Sequence, residues 1–285
     1  MRQFFIFLIL VVATNLYGQT LEERAAVLAC ECIKQQKPLD NTKYRECLSK
    51  ALVTVQSKYP ELTIPATVEG IQSAFREVQS ILSYTCNLLS EKELAEKEKR
   101  FYSDSKNKSA QNWYIIGNDM MDDKKYDLAI ESFELALKED STFVFALDHT
   151  AICYKRLGDL ENAVKFYNKS LDVYPEGELA LTNMGVIYTS VGEFEISNKY
   201  YLRLANLYPN NPEGFFGLAK NYLLLGEFER GVENISIAHK IYKKTKSPYI
   251  KDAEKIVELI GQAMKKNGQE NEFKKLAKKY GLKTK

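Results

Sequence analysis

The sequence predicts an all-α protein: an α-solenoid of four helical hairpins with carboxy-terminal capping helices, preceded by a small helical domain stapled by disulfides. Three observations carry this expectation. From residue 110 onward the chain repeats itself every 34 residues without a gap. Only 14 glycines and 7 prolines occur in 285 residues, which favours helices over a turn-rich all-β fold. Four of the five cysteines, Cys30, Cys32, Cys47 and Cys86, fall within the first third of the chain.

Residues 1–18 read as a signal peptide. Arg2 supplies a short positive region, Phe4–Ala13 an almost unbroken apolar run, and Leu16-Tyr17-Gly18 a cleavage site before Gln19. The run is shorter than the ~20 residues that span a bilayer, so cleavage after Gly18 is expected rather than an uncleaved anchor. The mature protein is then exported, periplasmic or secreted, with no membrane span of its own. Clustered cysteines agree with export, because disulfides persist in oxidising compartments.

Residues 19–90 are expected to form a Cys-rich three-helix domain. Thr20 and Glu23 make a capping-box pattern ahead of Leu21, Ala25, Leu28 and Cys32. A second helix is expected from about Asn41 to Lys58, with Tyr44, Cys47, Leu48, Ala51 and Val55 facing inward. A third begins near Pro65 and carries Val68, Ile71, Phe75, Val78, Leu82, Cys86 and Leu89. Cys30 and Cys32 diverge on a helix and need different partners. This leaves Cys30–Cys47 with Cys32–Cys86, or Cys30–Cys86 with Cys32–Cys47. A core of this size is commonly supplemented by disulfides. Residues 91–109 read as a charged helix followed by a linker.

The repeats occupy 110–143, 144–177, 178–211 and 212–245. At the eighth place stand Gly117, Ala151, Gly185 and Ala219, and at the twentieth Ala129, Ala163, Ser197 and Gly231. Small residues there let two helices of a hairpin approach closely. Trp113, Leu147, Leu181 and Phe215, with Met120, Tyr154, Tyr188 and Tyr222 seven residues on, share one face of each first helix. Gly158, Gly192 and Gly226 stand where a left-handed residue ends that helix. Tyr126, Leu160, Phe194 and Phe228 follow, and Phe133, Tyr167, Tyr201 and Ile235 fill the core face of the second helix. Pro175 and Pro209 stop two second helices.

On these residues the array resembles the tetratricopeptide repeat family, whose period is the same. The resemblance spans about half of the chain and is fullest in the two middle repeats. Lys124 replaces the turn glycine of the first repeat, and Ser141 and Lys243 replace the terminal proline, as suits terminal units. Residues 246–285 are expected to cap the stack: Ser247-Pro248 opens one helix carrying Ala253 and Ile256, and Gln269–Tyr280 forms a shorter one with Phe273, Leu276 and Ala277 on one face. Residues 243–285 hold 13 Lys against 5 acids. The lysines read as the solvated back of a capping helix rather than as an anionic-partner site.

No catalytic constellation emerges. His149 and His239 stand outside any nucleophile or metal motif, and His149 reads as a solvated surface histidine. Cys153 reads as a buried free thiol. No phosphate loop occurs, the net charge of +2 gives no nucleic-acid signal, and neither a metal nor a cofactor is expected. The protein is expected not to be an enzyme.

The resemblance implies a superhelix whose inner wall is lined by the first helices. The wall positions here are Tyr114, Asn118, Met121, Phe145, Asp148, Ile152, Lys155, Leu179, Thr182, Val186, Thr189, Phe216, Lys220 and Leu223. Apolar members would anchor a partner protein or peptide while Asn118, Asp148 and Lys220 fix its register. The carboxylate clamp of some family members is missing, since Tyr114, His149, Leu179 and Asn183 occupy its other places. The function expected is a protein-binding scaffold of the envelope or exterior. The alternative is a ligand or redox sensor in the Cys-rich domain, with the repeats transmitting its state.

Overall fold

A computed structural model describes residues 20–36 and 40–282. The expected signal peptide and cleavage after Gly18 lie outside these residues. The described residues contain fourteen helices and no strand, and they divide into two compact units between Leu88 and Leu89. None of the helices is long and apolar enough to cross a membrane.

The first unit has three helices: α1 (Leu21–Gln35), α2 (Asn41–Lys58) and α3 (Val68–Thr85). The Thr20–Glu23 capping box forms, with Glu23 N–H donating to Thr20 Oγ1 at 3.2 Å and Thr20 N–H to Glu23 Oε2 at 3.0 Å. Ala25, Ala29, Leu48, Val55 and Val78 make the centre of the core. Cys30 bonds to Cys86 and Cys32 to Cys47, one of the two pairings open in the sequence, each with a Cα–Cα separation of 5.6 Å. Two details differ from expectation. Thr67 caps α3, and the helix ends at Thr85, so that Cys86 and Leu89 fall beyond it. Val68 and Ile71, expected to face inward, are exposed on a helix that packs mainly on α1.

The second unit opens with α4 (Glu91–Phe101), then builds four hairpins. These are α5 (Lys108–Asp122) with α6 (Tyr126–Glu139), α7 (Val144–Leu157) with α8 (Leu160–Val173), α9 (Glu178–Ser190) with α10 (Phe194–Leu207), and α11 (Pro212–Leu225) with α12 (Phe228–Lys244). Helices α13 (Ile250–Lys266) and α14 (Glu270–Tyr280) close the stack. The small residues do what close crossing requires. A Cβ on Gly185 would meet the Tyr201 ring at 2.6 Å, and Gly217 of the next hairpin presses on the same ring. Tyr201 is thus clasped between two glycines.

Gly158, Gly192 and Gly226 are left-handed, at φ 84°, 85° and 75°, as expected of helix ends. Lys124 takes the same conformation at φ 61° without glycine's freedom. At the far end, Ile235 and Val232 are covered by Ile256, Ile260, Phe273 and Leu276. The start of α13 differs from expectation. Lys246 is left-handed, and Ser247 N–H still closes α12 by donating to Tyr242 O at 2.9 Å. Ser247 thus serves both helices, since its Oγ accepts from Tyr249 N–H at 3.3 Å ahead of α13, which begins only at Ile250 and leaves Tyr249 60% exposed.

Candidate functional site

The first helices α5, α7, α9 and α11 present the wall residues, and their environments divide the wall in two. Near the amino-terminal ends of these helices the chain covers its own surface. Helix α4 carries Leu94 into the core shared by hairpins 3 and 4, and Lys97 Nζ meets Glu176 Oε1 at 2.6 Å. Phe101 stacks on Tyr174 with centroids 5.0 Å apart. Tyr102 then lies against Phe145 (5.2 Å) and Tyr174 (5.5 Å) and donates its hydroxyl to Asp148 Oδ2 at 2.8 Å. The stretch expected to be a linker is a docked part of the unit.

Asp148 must therefore be removed from the register-fixing residues: it is fully buried beneath Tyr102. Burial pushes its carboxyl up to about 6, although the Ser170 and Tyr102 hydroxyls favour the ionised form. Only the Tyr102 contact is a formed hydrogen bond, since Asp148 Oδ1, Ser170 Oγ and nearby Tyr167 OH all lack a protein partner. Tyr114 is also buried, among Phe133, Phe143, Phe145 and His149, so it supports the wall rather than lining it. Phe145, half-buried between Tyr102 and Tyr114, is mostly consumed in the same way.

Further along the first helices the wall is open. Its ninth places hold one residue per hairpin: Asn118, Ile152, Val186 and Lys220. Val186 and Lys220 are exposed, and Asn118 and Ile152 are half-buried. Met121, Lys155, Thr189 and Leu223, with Leu179, Thr182 and Phe216, are half-buried as well. Polar members tie neighbouring hairpins together. His149 Nδ1 and Asn118 Oδ1 lie 2.8 Å apart, Lys155 donates to Asn183, and Thr189 donates to Asn221 Oδ1 at 2.9 Å. Asn221 in turn donates to Ser197 and Asn198 at 2.8 and 2.9 Å.

This ladder corrects the reading of His149. It is not a solvated surface group: it packs between aromatic rings, and burial lowers its pKa to about 4. Cys153 is a buried free thiol, raised to about 11 by desolvation. No cluster of His, Cys, Asp or Glu fit to hold a metal occurs among the described residues.

Stacked hairpins with an open row of side chains, one from each first helix, define a helical-repeat protein. The comparisons agree. Residues 145–177, the second hairpin, match the tetratricopeptide repeat family, and the chain carries tetratricopeptide repeats. Among solved structures, a crystal structure of MamA protein is 19% identical, with 60% of this chain and 90% of that chain covered at a TM-score of 0.52. MamA 41-end from Desulfovibrio magneticus RS-1 is 15% identical, with 62% and 95% covered at a TM-score of 0.51. At these identities the likeness is one of fold. No curated protein matches the sequence.

Sequence reasoning missed Phe101 and Tyr102, and the ladder asparagines Asn183 and Asn221. The aromatic pair at the end of a charged helix was the available signal. For the asparagines, the signal was recurrence of Asn and Ser on otherwise apolar helix faces.

Proposed function

We propose that this protein is an exported, non-catalytic scaffold that holds a partner protein or peptide on the open part of its wall. The observation that carries the reading is the row Asn118, Ile152, Val186 and Lys220: one residue from each hairpin, mixed in character and left uncovered by α4. Apolar anchors flanked by polar groups suit an extended or helical peptide. Export is supported by the amino-terminal apolar run and by the two disulfides of the first unit. The absence of catalysis is supported by the fold and by the structural use made of His149, Asp148 and Cys153.

The double variant Ile152→Asp, Val186→Asp tests the wall. Affinity capture from an envelope fraction should lose the wild-type partner while the helical circular-dichroism signal and Tm are retained. Equal recovery by a folded variant overturns the wall as the binding surface. Cell fractionation with mass analysis of the mature amino terminus tests export, for which the expected first residue is Gln19.

A further inference from the structure

The fourth hairpin and the first capping helix enclose a notch that shares only Phe216 with the wall. It is a cavity of about 350 Å³ lined by Glu213, Phe216, Tyr242, Tyr249 and Asp252. Three aromatic rings form its sides. Phe216 and Tyr242 have centroids 6.2 Å apart at 74°, and Tyr242 and Tyr249 are 6.2 Å apart at 49°. Rings set at such angles make a corner instead of a stack. The other lining groups are carboxylates. Tyr242 OH donates to Glu213 Oε1 at 2.7 Å, and Asp252 stands in the first turn of α13. Neither acid forms an ion pair among the described residues.

The second hairpin shows what a notch at these repeat places can accept. There the second, fifth and thirty-first places hold Phe145, Asp148 and Tyr174, and the ring of Tyr102 sits against them with its hydroxyl on the carboxylate. In the fourth hairpin the same places hold Glu213, Phe216 and Tyr242. Ring and acid have exchanged positions, and α13 adds a second acid and a third ring. A phenol satisfies one carboxylate by one hydrogen bond. Two carboxylates among three ring faces call for a positive charge, because the negative faces of aromatic rings attract cations. Asp252 also offsets the helix dipole of α13, but that role does not account for the exposed Tyr249 ring beside it.

We propose that this notch binds an organic ammonium group, through the faces of Phe216, Tyr242 and Tyr249 and the charges of Glu213 and Asp252. The group belongs either to a lysine side chain of a bound protein or to a small methylated ammonium compound. The notch needs no occupant on the rest of the wall, so this inference stands or falls apart from the scaffold reading.

Calorimetric titration of the full mature chain tests it with three probes: choline, Nα-acetyl-lysine N-methylamide, and 3,3-dimethylbutan-1-ol as the uncharged counterpart of choline. At least one ammonium probe should bind saturably, with the alcohol about tenfold weaker or worse. Tyr249→Ala and Asp252→Asn should each weaken the ammonium about tenfold. Both residues are exposed, so an unchanged Tm shows that the loss is local. Tighter binding of choline identifies a methylated small molecule, and tighter binding of the lysine analogue a partner side chain. No saturable binding by either ammonium, equal binding of the alcohol, or variants that leave affinity unchanged each overturn the proposal.

Discussion

Asp148 shows how a single position can look functional in sequence and prove structural. At the fifth place of a repeat it resembles a ligand-facing acid, but Tyr102 closes over it and burial holds its pKa near 6. The folded-state value lies above the ordinary carboxylate value of about 3.8. The folded protein therefore binds this proton more tightly than the unfolded chain, and the associated stability is present at low pH and lost as pH rises through 6. Asp148→Asn keeps an acceptor for Tyr102 and removes the ionisation. Its stability advantage over wild type should grow between pH 4 and pH 8 by roughly 2–3 kcal/mol, following about 1.4 kcal/mol per pKa unit. Denaturant midpoints at the two pH values check this, and a gap independent of pH would contradict the burial argument. His149 was misread for a related reason. Its place on a first helix was legible, but the rings of Tyr114, Phe133 and Phe145 that desolvate it come from three different helices.

Helix positions and ends were largely legible because they depend on local chemistry. The Thr20–Glu23 box, the glycine stops at 158, 192 and 226, and the breaks before Pro175 and Pro209 all follow from residues within a few places of the event. The docking of α4 was not legible. Its Glu and Lys content describes a solvated helix, yet Leu94, Lys97, Phe101 and the adjoining Tyr102 commit it to the array. The close crossings make a sharper demand. Gly185 and Gly217 come from different hairpins yet face one ring, that of Tyr201. Gly185→Ala should therefore cost about 1–3 kcal/mol, the usual penalty for overpacking, where the helix propensity of alanine alone would predict a gain. Urea unfolding measures the sign. A stabilised variant would mean that the Tyr201 ring can move aside at little cost.

For the molecule as a whole, the two units draw on different sources of stability. The first has a small core and both disulfides; the second has four hairpins and their caps, with Cys153 as its single cysteine. Loss of native disulfides typically costs a small domain about 2–5 kcal/mol, comparable with its whole stability. Reduction should then abolish the melting transition of residues 19–88 and leave that of residues 89–285 in place. Calorimetry with and without dithiothreitol tests this, and loss of both transitions together would show the repeats to be dependent on the staple. The contrast also explains what sequence could reveal at this scale. Four aligned copies expose a repeat even when each is degenerate, whereas a single disulfide-bonded domain offers no second copy to compare.

Cys153 gives the repeat unit an internal clock. Its sulfur is sealed where the second hairpin packs on the first and, with desolvation opposing the thiolate, is inert toward alkylating reagents while the helices stay closed. Any adduct at that atom records a moment when α7 swung away from its neighbours, and because the remaining thiols are locked in disulfides the count has no background. The frequency of breathing in the array can thus be timed in the native protein, without a mutation or a dye, simply by quenching and weighing it.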